Sequence, residues 1–338
     1  MPSAPDARYE FTDASLARPW LTRLWFARLF PLLPHWLAAN VLTLLSTGSL
    51  LAVLVGALAI DELGATWFGL LQLVCIQLYV AGDHLDGMQA KATGTTSPLG
   101  DFLDHHCDYW AGCILVFGWG AMLGTLDTAL TPFMTMLMIA GFTITYAQRA
   151  LQRRLHFTRW GTLEAIVIAT AFYGSWAVPA LRAWWTAPLW EGAWPRHSVV
   201  TVIGCVMAAS VSVTIMRALR GIPWRVALQL ATLVTLAAWA QVAALPPFWG
   251  WLLITGAGAE MVARLMHAHT TNGGEPDPTW SAVAGAVLLW ILPESASHGV
   301  AIALGVWLAA RYTLTLRRIV LGWRQHWVWV NTALDRAA

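Results

Sequence analysis

Charge is what this sequence lacks most. Only 11% of its 338 residues are Asp, Glu, Lys or Arg, whereas a soluble domain carries about 25%. That shortage excludes an ordinary water-soluble globule. The net charge is only +2 and no dense basic run occurs, so the electrostatic footprint of a nucleic-acid binder is missing and no nucleic-acid partner is expected. Cysteine is scarce as well. Cys75, Cys107, Cys113 and Cys205 lie in or beside apolar segments with no CxxC pair among them, which argues against a disulfide framework and a zinc site. The first 17 residues contain Asp6, Glu10 and Asp13 and no apolar run, so a cleaved secretory signal is not expected. Internal repeats, low-complexity tracts and a soluble domain are also missing; "TTNGGEPDP", from Thr270 to Pro278, is the clearest turn-rich loop.

What is present is apolar. Hydrophobic residues make up 58% of the chain, and Trp outnumbers Phe by 22 to 11, a balance that fits indole rings anchoring helices at a membrane interface. Judged by runs of roughly 17–25 mostly apolar residues, ten spans are expected. They are Trp36 to Ile60, Thr66 to Asp86, Asp101 to Leu123, Thr131 to Ala147, Gly161 to Val178, Ser198 to Met216, Val226 to Ala244, Phe248 to Met266, Trp280 to Leu292 and Val300 to Leu316. Ahead of them, "PWLTRLWFARLFPLL" sets Arg23 and Arg28 among Trp, Leu and Phe, the pattern of a helix lying in the interface. With the N-terminus in the cytoplasm, almost all Lys and Arg fall on the inner side and only Arg182 and Arg196 fall clearly outside, as the positive-inside rule expects. The expected fold is therefore all-α, a polytopic bundle of about ten transmembrane helices with an N-terminal interfacial amphipathic helix. Its parts are a cytoplasmic N-terminal segment (1–35), a catalytic transmembrane core (36–220) and additional C-terminal helices (221–338).

Against this background the stretch "AGDHLDGMQAKATGTTSPLGDFLDHHCDYW", Ala81 to Trp110, stands out. Asp83 and Asp86 are three apart and share a helical face; Asp104 and Asp108 are four apart and share another, with Asp101 three before Asp104. The short segment between them makes the two helices neighbours, so the acidic faces can converge. Clustered carboxylates in a low-dielectric setting repel, and one would take up a proton unless a cation intervenes. All-oxygen ligands suit hard ions such as Mg2+, Mn2+ or Ca2+. Four carboxylates are enough for two ions, the arrangement that clamps a phosphoryl displacement. Gly82, Gly87, Ala90, Gly94 and Gly100 keep side chains out of a ligand's way, and Lys91 offers a point charge to a phosphate. Asp101 or Asp104 alone would be an ordinary helix cap; five acids within 26 residues beside a membrane call for more.

These residues resemble a known family. Asp83, Asp86, Gly87, Ala90, Lys91, Gly100, Asp104 and Asp108, at these spacings, look like the signature of the CDP-alcohol phosphotransferases, membrane enzymes of phospholipid synthesis. The SPLG run and the DHxxD that follows are closer to the choline and ethanolamine phosphotransferase branch, as is "PHWLAANVLTL" (Pro34 to Leu44). The chain departs from the family pattern at Lys91, usually Arg, at Asp101, usually Glu in the branch, and at Ala39, usually Pro. The resemblance implies that Asp83, Asp86, Asp104 and Asp108 bind two Mg2+ ions, with Mn2+ as a substitute. It further implies that Asn40, Thr43, Gly87, Ala90, Lys91, Ser97 and Asp101 contact the CDP-linked donor. The general base is either His105 or Asp108, and imidazole is the better base beside a metal-bound carboxylate. His106, on another face, is expected to be structural.

The function so implied is transfer of phosphoethanolamine or phosphocholine from a CDP-alcohol to diacylglycerol, releasing CMP. The resemblance also implies a homodimer with its active site facing the cytoplasm; high Ala, Arg and Trp adds the expectation of a bacterial inner membrane. One rival keeps the chemistry but puts the lipid on the donor, as CDP-diacylglycerol, with a soluble alcohol as acceptor. A more distant rival, a cation-coupled transporter, lacks the repeat and midplane breaks of that class. Glu164, inside the fifth span, is costly if lipid-facing and is expected to face the bundle interior. His267 and His269 are expected to share a cytoplasmic loop with Arg264, one turn after Glu260, either meeting lipid head groups or forming an ordinary polar surface loop.

Overall fold

The computed structural model describes residues 10–152, 154–157, 162–188, 221–271, 276–324 and 327. Because lipid offers no hydrogen-bond partners, an apolar chain satisfies its backbone internally as helices. The helices are α1 (Ala39–Leu58), α2 (Ala65–Ala92), α3 (Pro98–Met122), α4 (Leu130–Gln152), α5 (Thr162–Trp176), α6 (Pro179–Thr186), α7 (Trp224–Val242), α8 (Pro247–Thr270), α9 (Trp280–Ile291) and α10 (Glu294–Gly322). Two four-residue strands, Glu10–Asp13 and Arg154–Phe157, are the only extended elements among the described residues.

The expected helical membrane fold is borne out, but the count of ten spans is corrected downward. Among the described residues five helices (α1, α2, α4, α7 and α10) are long and apolar enough to cross a membrane, and a sixth if the bent pair α5–α6 counts as one span. The reasons are physical. Helix α9 has 12 residues, which rise only about 18 Å against a hydrocarbon core of about 30 Å. Helix α3 is long enough, but Asp101, Asp104, His105, His106 and Asp108 crowd its first half. Helices α5 and α6 turn through 114° at Pro179, which opens α6 after an extended Val178. The sixth expected span, Ser198 to Met216, lies outside the described residues.

The helices group into two compact units. One contains α1, α2, α3, α5 and α6 with the N-terminal segment; the other contains α4 and α7 to α10. Helix α4 thus groups with the C-terminal helices, although the sequence reading places it within 36–220. In the first unit α1 packs against both α2 and α3. The approach to α2 is close: a Cβ on Gly82 would lie 2.3 Å from Ser46 Cβ, so only glycine lets the two backbones meet there. Exposed Trp67, Trp224, Trp249 and Trp280 sit in the opening turns of α2, α7, α8 and α9, as interface anchors should.

The N-terminal segment is helical as expected, running as α-helix, a π turn (Thr22–Phe26), α-helix and a short 3-10 turn over residues 17–32. Arg23, Leu24, Trp25 and Arg28 are exposed, whereas Phe26 is buried. Glu164 explains how the segment is held. It does face the interior, and its Oε1 accepts hydrogen bonds from Ser15 Oγ (2.7 Å), Leu16 N (2.8 Å) and Ala17 N (2.9 Å). A buried carboxylate from α5 therefore satisfies the free amides at the start of the first turn.

In the second unit Glu260 of α8 is fully buried, and the expected loop is corrected for Arg264 and His267. Glu260, Arg264 and His267 lie on α8 itself. Glu260 Oε1 meets Arg311 of α10 at 3.0 Å and Arg264 at 3.7 Å, while Oε2 accepts from Thr279 Oγ1 at 2.7 Å. Arg264 also donates to the Asp277 carbonyl oxygen at 2.6 Å. A carboxylate among apolar helices is tolerable only when paired in this way.

Gly82→Ala should destabilise the detergent-solubilised protein by about 1–3 kcal/mol, because α1 and α2 must separate to admit the methyl group. Gly48→Ala, where an added Cβ meets nothing within 4 Å, should be neutral or stabilising; thermal unfolding of both variants checks the difference.

Candidate metal and nucleotide site

The site begins with the length of α2. Its 28 residues rise about 42 Å, more than the hydrocarbon core needs, so the helix reaches beyond the apolar slab. Asp83 lies eighteen residues, about 27 Å, from the start. At the opposite end of α2, Arg182 Nη1 donates to Thr66 Oγ1 at 2.9 Å. The helix stops in a Schellman motif: Gly94 takes the left-handed conformation (φ 66°), Thr95 N donates to Ala90 O at 2.9 Å and Gly94 N to Lys91 O at 3.4 Å. Five residues later α3 starts, with Ser97 as its cap accepting from Gly100 N at 3.1 Å and Pro98 in its first turn.

This tight link brings the two acidic faces together. One carboxylate oxygen from each of Asp83, Asp104 and Asp108 lies within 4.8 Å of the others, and all three residues are half-buried. At that separation each like-charged pair repels by about 3–4 kcal/mol for an effective dielectric near 20. Three such pairs would consume most of a typical fold stability of about 5–15 kcal/mol, so the cluster fits a hard divalent cation.

Asp86 is placed differently. It is buried, outside the 4.8 Å group, and its Oδ2 accepts from Thr43 Oγ1 of α1. Thr43 therefore holds a carboxylate, with the Ala39 carbonyl as its other acceptor at 3.2 Å. Asn40, one turn earlier, points its Oδ1 at the start of α3, 3.3 Å from where a Cβ on Gly100 would stand. The entry to α1 is fixed by Gln89 of α2, whose Nε2 donates to Leu37 O (2.8 Å) and Pro34 O (3.1 Å). Gly87 and Lys91 are exposed, and Ala90, Ser97 and Asp101 are half-exposed. They form an open polar border beside the acids.

His105 Nδ1 lies 3.2 Å from Asp104 Oδ2. His106 is buried, stacked on Phe102 (5.2 Å) and Tyr109 (6.2 Å), as a structural residue should be. Two partners of the cluster escaped the sequence reading. Tyr79 donates its phenolic hydrogen to Asp108 Oδ1, and His84 Nδ1 lies 3.3 Å from Asp83 Oδ2. The spacing carried a signal for the first, since Tyr79 is one helical turn before Asp83 and shares its face. Adjacency to Asp83 was the only signal for the second.

Comparison with known proteins agrees with this geometry. Residues 36–192 match the family model described as CDP-alcohol phosphatidyltransferase. The chain is 34% identical over 115 residues to chicken (Gallus gallus) cholinephosphotransferase 1, an alignment covering 33% of this chain and 34% of that protein. It is 30% identical over 124 residues to Arabidopsis thaliana choline/ethanolaminephosphotransferase 1, covering 35% and 32%. The human cholinephosphotransferase 1 alignment, 32% identical over 124 residues, covers 35% and 30%. The matched stretch spans about a third of the length of these curated relatives.

Thr43→Val keeps the shape but removes the hydroxyl from the buried Asp86. A loss of about 1–3 kcal/mol is expected, with Thr43→Ser close to wild type; thermal unfolding without nucleotide or metal measures both.

Proposed function

We propose, from the match of residues 36–192 to the CDP-alcohol phosphatidyltransferase family model, that this chain transfers phosphocholine or phosphoethanolamine from its CDP ester to diacylglycerol and releases CMP. The observation that carries the proposal is the convergence of Asp83, Asp104 and Asp108 beside an open border of Gly87, Ala90 and Lys91. In this reading Asp83, Asp86, Asp104 and Asp108 hold two Mg2+ ions, or Mn2+, which when bound neutralise the donor diphosphate and the departing CMP. Lys91 meets a phosphate oxygen as a point charge. Asn40, Ser97 and Asp101 border the nucleotide. Thr43 reaches the nucleotide through Asp86, which it orients.

The acceptor hydroxyl loses its proton as it attacks phosphorus. Tyr79 already occupies one oxygen of Asp108, which favours a ligand role for that carboxylate. His105 stands with Nδ1 3.2 Å from Asp104 Oδ2, so an imidazole, a better base than a metal-bound carboxylate, lies at the edge of the cluster. His105 is therefore the general base of this proposal. The lipid acceptor and the nucleotide donor demand a site at the membrane boundary, a reading supported by the position of Asp83 about 27 Å along α2. A cytoplasmic orientation follows from the distribution of Lys and Arg, and a bacterial inner membrane and a homodimer complete the reading.

The deciding assay is CMP release by the purified full chain with Mg2+. CDP-choline or CDP-ethanolamine plus diacylglycerol is compared with CDP-diacylglycerol plus soluble alcohols. Release that requires diacylglycerol supports the proposal; release only from CDP-diacylglycerol reverses which substrate carries the lipid, and solute flux without CMP release would exclude an enzyme. Asp83→Ala, Asp86→Ala and Asp104→Ala should abolish turnover. His105→Ala should lower kcat by about 10²–10⁴ with a much smaller change in the KM for the CDP-alcohol; undiminished kcat would return the base role to Asp108.

A further inference from the structure

The acidic cluster has an outer support that runs to the N-terminal segment. His84 follows Asp83 on α2, and its Nδ1 has two neighbours: Asp83 Oδ2 at 3.3 Å and the Val80 carbonyl oxygen at 3.1 Å. Both are acceptors, so Nδ1 must carry the hydrogen. The nearer acceptor, the Val80 carbonyl, anchors the ring, and the same N–H edge faces Asp83 Oδ2, which limits the directions in which that carboxylate can turn.

The ring is itself held. Phe26 stacks on it with centroids 4.2 Å apart and planes 16° from parallel. Phe26 is 1% exposed and closes the π turn Thr22–Phe26. Its neighbours Leu24 and Trp25 are 52% and 41% exposed. Phe26 is the one fully buried side chain of residues 17–32, in a segment tethered at its start by Glu164. A wider π turn rotates the following residue relative to an α-helix, and such turns recur where a side chain must be re-aimed.

We propose that His84 is a positioning residue for the metal ligand Asp83, clamped by Phe26, so that docking of the amphipathic N-terminal segment sets the metal affinity of the acidic cluster. The proposal rests on the metal reading of that cluster. Groups that orient a metal-binding carboxylate change affinity by about 10–100-fold when removed.

The test titrates Mn2+ into the purified full-length chain in detergent and follows free Mn2+ by electron paramagnetic resonance. His84→Ala should weaken the tightest Mn2+ site by about 10-fold or more. His84→Asn places an amide nitrogen where Nδ1 stood and should recover most of that loss. Phe26→Ala should weaken binding in the wild-type background and add nothing in the His84→Ala background, because residues acting through one another are non-additive. The inference is overturned by wild-type Mn2+ affinity in His84→Ala, by an Asn variant as weak as the Ala variant, or by additive losses in the double variant. Absence of Mn2+ binding by the wild-type protein would instead sink the metal reading, and this inference with it.

Discussion

Mutual repulsion among Asp83, Asp104 and Asp108 is the constraint on which the first unit depends. Carboxylate oxygens within 4.8 Å of one another, beside a membrane, oppose folding unless something positive joins them. The helices that bring them together must therefore be fixed by contacts that do not involve the acids. Helix α1 supplies these. It meets α2 backbone to backbone at Gly82 and Ser46, packs along α3 and is registered at its entry by Gln89. The cluster is held by apolar and backbone contacts around it rather than by its own chemistry, which leaves its electrostatic demand for a cation.

Polar groups placed in the apolar bundles follow the same rule. Asp86 takes Thr43, Asp108 takes Tyr79, Glu164 takes the amides of residues 16 and 17, and Glu260 takes two arginines and a threonine. Each pairing satisfies a group that would be costly in lipid, and each links two elements. The carboxylates of Glu164 and Glu260 spend their acceptors on holding elements together. Asp83, Asp104 and Asp108 instead face one another, with His84 and His105 at the edge of the cluster. This difference in how the acids are partnered separates scaffold from site more sharply than their depth does.

Much of this was legible in the chain because helical spacing is rigid. Asp83 and Asp86 at three and Asp104 and Asp108 at four had to share faces, and a link closed by Gly94 and capped by Ser97 had to make α2 and α3 neighbours. The amphipathic segment could be read from Arg23 and Arg28 among apolar residues. What the chain concealed was long-range pairing. Glu164 lies 149 residues from Ser15, Thr43 lies 43 from Asp86, and no local pattern announces either. The span count failed for a related reason: hydropathy registers α9 as membrane-like and cannot say that 12 residues fall short, nor that Pro179 folds one segment back at 114°.

The position of the acids along their helices connects the architecture to chemistry. A nucleotide ester cannot enter hydrocarbon and a diacylglycerol cannot leave it, so a transferase joining them must place its charged centre at the boundary and leave a way in from each phase. Asp83 sits about 27 Å along a helix whose crossing requires about 30 Å, with Gly87 and Lys91 exposed just beyond. The amphipathic segment is tethered by Glu164 and stacked through Phe26 on the residue next to Asp83. An interfacial helix is ordered chiefly by the membrane it rests on. Phe26 and His84 link that segment to Asp83 by direct contact within one compact unit.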